Sequence, residues 1–150
     1  MSQRVGPARP GCMTRILLAQ RLLALLVGLA MAANGIAMLL AGPAWYAAVP
    51  GVTETGPFNP HFVKDIGAAY LTAGAGLAVF AWRASALARG AATAGAVFLG
   101  LHGLIHLAEA AGEPDGAMHL ARDFAGVLLP PVLALAAIWP DQPSKEFADA

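Results

Sequence analysis

Apolar residues in this chain do not alternate with polar ones at the period of a strand or a surface helix. They run on in four long blocks separated by short polar breaks. A bilayer core of about 30 Å needs about 20 mainly apolar residues in a helix, because no water is present there to satisfy an open backbone. The blocks predict spans over residues 16–41, 61–82, 91–110 and 118–139. The first contains an unbroken apolar stretch, 22–33, then Asn34, and renewed apolar character from Gly35 onward.

The breaks carry turn chemistry. Residues 83–90 predict a tight turn, and Gly112, Glu113, Pro114, Asp115 and Gly116 predict another from the residues that turns favour. Residues 42–59, with Pro43, Pro50 and Pro57, form the one long connection, either a stiff cap or an exposed connector. Asn59 and Pro60 suit the cap and first position of the second helix. The expected fold is all-α, a four-transmembrane-helix up-down bundle over residues 14–140. A polar, disordered start at 1–13 precedes it and a tail at 141–150 follows. Arginines ahead of an apolar core and the small residues Ala30, Met31 and Ala32 imitate a secretory signal. The apolar run continues for about ten more residues, which predicts an uncleaved span. Met13 is a second candidate start.

Composition agrees with this pattern. Of 150 residues, 58% are hydrophobic and 12% charged, about half the charged share of a soluble domain. The lipid bilayer is therefore the expected partner. A net charge of zero argues against nucleic acid, which requires a basic surface. Cys12 is the single cysteine, which excludes an intrachain disulfide and the paired spacing of a cysteine zinc or redox site.

Charge also predicts orientation. Arg4, Arg9, Arg15, Arg21, Arg83, Arg89 and Lys145 fall on one side, and only Lys64 and Arg122 on the other. Lysine and arginine concentrate in cytoplasmic loops, so both termini are expected in the cytoplasm. Glu54, Asp65, Glu109, Glu113, Asp115 and Asp123 lean to the outer side. Trp82 and Trp139 suit the inner interface, Trp45 and Tyr46 the outer one.

Small residues predict where helices approach. Ala92, Ala96 and Gly100 form a stripe on span three, and Gly67 and Gly74 do the same on span two. They also leave room for a homo-oligomer or another membrane partner. Pro130 and Pro131 predict a bend in span four and a carbonyl freed near mid-membrane.

All four histidines, His61, His102, His106 and His119, fall toward the outer side. His61 and Asp65 share a helix face with Lys64 beside them, and His119 and Asp123 repeat the device with Arg122. These pairs make a secondary polar pocket of His61, Lys64, Asp65 and Arg122. Helix dipoles, salt bridges and interfacial solvation are sufficient to explain them. His102, His106 and Glu109 occupy an arc of about 60° on span three, and His102 is expected near the bilayer middle. Ionisable groups at that depth are costly and face an interior or a wet cavity. Across the hairpin, His106 is expected level with His119 or Leu120, and His102 with Asp123.

Imidazole and carboxylate converging from neighbouring helices suit zinc, copper or iron. The expected ligands are His102, His106 and His119, with Asp123 or Glu109 as a fourth. The leading expectation is therefore a membrane binding or accessory protein with an outward-facing His/carboxylate pocket holding a divalent metal. A metal-dependent membrane enzyme with Glu109 as acid or base, and a structural subunit without ligand, are the alternatives. No HExxH, nucleophile elbow or phosphate-binding glycine loop is present.

The segment His61-Phe-Val-Lys-Asp-Ile-Gly-Ala-Ala-Tyr-Leu-Thr-Ala-Gly, with the four-span layout, resembles small bacterial membrane proteins of the DoxX-like kind. The resemblance implies an inner-membrane four-helix bundle, in a group some of whose members look like accessory subunits of redox complexes. The histidines of spans three and four are not part of the resembling pattern.

Overall fold

The computed structural model describes residues 10–139, with side chains from Leu17. The start at residues 1–9, the tail, Arg4, Arg9 and Lys145 lie outside the described residues, as do the side chains of Cys12 and Arg15. Helix α1 is Pro10–Ala48, α2 Pro60–Trp82 and α3 Ala86–Gly112. The fourth rod is composite: α4 (Gly116–Asp123), a π-helical turn (Phe124–Leu128) and α5 (Leu129–Ile138). Leu17–Ala48, Pro60–Trp82, Ala86–Gly112 and Gly116–Ile138 are each long and apolar enough to cross a membrane. The chain is an all-α, four-span membrane protein.

Two boundaries differ from the hydropathy reading. Span one continues past residue 41 to Ala48, with a kink at Ala41 (φ −133°, ψ 37°). Pro43 is the cause, since it has no N–H for the Leu39 carbonyl and its ring collides with that turn. Span three begins at Ala86, not 91, because the Ser85 hydroxyl caps it by accepting from Ala88 N–H at 3.2 Å. The 83–90 turn thus shrinks to three residues. As expected, Asn59 caps α2, its Oδ1 accepting from His61 and Phe62 N–H at 3.1 Å each.

The rods close into a ring. α2 lies between α1 and α3, and the fourth rod returns along both α3 and α1. The α1–α2 seam rests on two glycine pairs, Gly28 opposite Gly74 and Gly35 opposite Gly67. A Cβ on Gly35 would stand 2.5 Å from the Gly67 carbonyl oxygen, and one on Gly74 would stand 2.5 Å from that of Gly28. The pairs are seven residues apart on both helices, the repeat that keeps one seam facing its neighbour. On α3, Gly95 meets Ala73, and Ala92 and Ala96 are buried. Gly100, expected in that stripe, faces open space.

Arginines tie the end holding the 83–85 turn. Arg21 donates from Nε to Ala81 O at 2.7 Å and from Nη2 to Trp82 O at 2.6 Å, satisfying carbonyls that end α2. Arg89 does the same for Ile138 O at the end of α5 and lies over the Phe80 ring, 4.9 Å from its centroid.

Candidate functional site

At the opposite end, the long connection folds back as a cap. Its centre is a 3₁₀ turn, Val52–Glu54, entered through Gly51 at φ 83°, which only glycine adopts readily. The Tyr46 hydroxyl donates to Gly56 O, and Tyr46 meets Phe58 edge-on. Arg122 of α4 reaches up beneath this turn. A Cβ on Gly51 would fall 2.2 Å from the guanidinium carbon, and Nη1 donates to Glu54 Oε2 at 2.7 Å. Residues 42–48 of the expected connection are helical, and over the remaining 49–59 the structure shows the folded cap of the two readings.

From Arg122 a polar line runs inward. Its Nε lies 3.3 Å from Asp123 Oδ1, and Asp123 Oδ2 lies 2.7 Å from His106 Nδ1 on α3. The side chains of His106 and Asp123 are only 26% and 13% exposed, whereas His61 and Asp65 are 89% and 62% exposed. Beyond His106, the His102 ring lies 4.8 Å away between centroids. His102 meets Tyr70 of α2 edge-on at 5.6 Å and stacks on Phe98 at 6.1 Å. At 1.5 Å per residue, His106 and His102 lie about 9 and 15 Å from the end of α3 at Gly112.

The helix irregularity sets this register. Pro130 and Pro131 supply no N–H to the carbonyls of Gly126 and Val127, so the helix widens just before them. Leu129 N–H bonds back five residues to Phe124 O, the π pattern. The bend expected of the prolines thus takes the form of a π turn directly after Asp123.

Several expected pairings change. His106 meets Asp123, not His119 or Leu120, because α3 runs on to Gly112 and α4 begins at Gly116, so the turn centred on Pro114 sets His106 level with Arg122 and Asp123. His119 pairs with Asp115 at 3.3 Å, in place of its expected partner Asp123. Arg122 does pair with Asp123, as the salt-bridge reading expects, but it also takes Glu54 and does not join His61, Lys64 and Asp65 in a pocket, because the cap lies directly over it. His61 and Asp65 form an exposed pair at 3.5 Å, with Lys64 also exposed. Glu109 is exposed on α3. The expected ligand set of His102, His106, His119, Asp123 and Glu109 is not gathered. Among the described residues, no three His, Cys, Asp or Glu side chains are placed to hold a metal ion.

Tyr70, Phe98 and Glu54 were not singled out by sequence. Tyr70 carried a signal, as a tyrosine in the middle of an apolar span. Phe98 carried none beyond its place one turn before His102.

Fold and site together define a small four-span membrane protein with an imidazole–carboxylate line entering from its capped end. Comparison of the chain with family models, curated proteins and solved structures gives no match.

Proposed function

We propose that this chain is an inner-membrane accessory protein whose His102–His106–Asp123 group takes up and releases a proton, with both termini cytoplasmic and the capped end outside. The His106–Asp123 bond, joining spans three and four below the cap, carries the reading. With Nδ1–H donated to the carboxylate, His106 keeps a basic Nε2 within the span. A proton added there creates an imidazolium beside a carboxylate, so the pair as a whole becomes neutral. That is the inexpensive way to charge an imidazole in a low-dielectric span. Arg122 and Glu54 connect the pair to the outer surface.

Nitrogen-15 spectra of histidine-labelled protein in nanodiscs test this. The neutral His106 ring is expected as the Nδ1–H tautomer, adding its proton at Nε2 on acidification, and Asp123→Asn abolishes that tautomer preference. A His106 signal unchanged by acidification and indifferent to Asp123→Asn would rule the reading out.

A metal is the second reading, supported by the i, i+4 rings of His102 and His106 and by a carboxylate on Nδ1 of one of them. Zinc, copper or iron would take two imidazoles here and complete its shell with water or another ligand. Metal analysis of the purified protein beside a His102→Ala, His106→Ala double variant decides it. Metal in the wild type alone supports the site, and none in either removes it.

A further inference from the structure

On the lipid-facing side of the α1–α2 seam, at the end opposite the histidines, lies an open groove of about 500 Å³. This is within the size range of small-ligand sites, about 300–1,000 Å³. Leu18, Leu22 and Leu25 of α1 and Val79 and Trp82 of α2 line it, with Arg21 at its edge. A smaller hollow continues it past Val79 and Trp82 to Arg83.

Among the described residues, the charges around this groove are one-sided. The acidic residues among the described residues, Glu54, Asp65, Glu109, Glu113, Asp115 and Asp123, belong to the other end. Arg21 is held by two bonds to the end of α2, which engage two of the five N–H groups of a guanidinium. It is thus fixed in place with donors remaining. Trp82 is 80% exposed, as aromatic rings at the headgroup level are.

We infer that this groove is a binding site for one anionic phospholipid, its acyl chain along the leucines and its phosphate between Arg21 and Arg83. An apolar trough ending in two arginines without a carboxylate among the described residues matches that molecule in both shape and charge. The site is independent of the histidine group.

Protein in nanodiscs of equal phosphatidylglycerol and phosphatidylcholine, released and weighed by native mass spectrometry, tests the assignment. The wild type is expected to retain phosphatidylglycerol preferentially. Arg83→Gln should lower that preference about fivefold, the effect of one arginine near a headgroup. Val79→Trp, which fills the trough and leaves both arginines, should lower retention of the lipid itself. Arg21 is left intact because it also ties α2. Equal retention of the two lipids by the wild type, or a preference that survives in both variants, overturns the assignment.

Discussion

Asn34 is the polar residue that interrupts the first span, and its partner is Trp45, eleven positions on. The indole N–H donates to Asn34 Oδ1 at 2.9 Å, while Asn34 Nδ2 faces Met38 Sδ at 3.8 Å. Trp45 suits an interfacial ring by composition, yet the Ala41 kink turns it back along its own helix. In lipid an unpaired indole N–H finds no water, so Asn34→Leu should cost about 1 kcal/mol. Reversible unfolding in mixed micelles measures this. Adding Trp45→Phe should cost less than the sum of the single changes, because the two side chains share one bond. Strictly additive losses would show that no coupling exists. At this scale sequence supplied the unusual residues, Asn34 and the deep histidines, but not their partners. A hydrogen bond depends on distance in space, and Trp45 and Asn34 come together only through a kink.

At the scale of elements, two features govern the bundle. The glycine pairs allow α1 and α2 to touch backbone to backbone, so Gly35→Leu should cost at least about 2 kcal/mol by overpacking. Gly100→Ala, facing open space on α3, should be neutral or stabilise by up to about 1 kcal/mol. Comparable losses at both positions would deny the seam its role. The π turn is the second feature. Replacing both Pro130 and Pro131 by Ala, which restores the two missing N–H donors, should return the turn to α geometry with every residue kept and rotate Asp123 by about 100° relative to α5. The His106–Asp123 bond should then be lost, seen as loss of the His106 Nδ1–H signal with the helix content retained. Persistence of that signal would show that α4 rotates freely of α5. Gly67, Gly74 and the two prolines were readable as small-residue and bending positions. Their opposite partners, Gly28 and Gly35, and the form of the bend depend on how neighbouring rods fit.

For the whole molecule, the proposed orientation yields a direct test. Arg21, Arg83 and Arg89 cluster at the end holding Ala84, and the folded cap with Thr55 lies at the other. In a Cys12→Ser background, Thr55→Cys should react with a membrane-impermeant maleimide in intact cells. Ala84→Cys should react only after permeabilisation, and the reverse pattern would invert the proposed topology.

Sequence alone determined that the chain forms four apolar helices and where its charges gather. Those properties are sums over local residues, since about 20 apolar side chains define a span wherever their neighbours lie. Tertiary structure decided what the charges do. The α3–α4 register, set by the turn at 113–115 and by the π turn, gives Asp123 to His106, leaves His119 to Asp115 and folds the cap over Arg122. Sliding one helix by a residue rotates its side chains by about 100°, so pairing across a bundle is fixed by packing contacts that hydropathy does not encode.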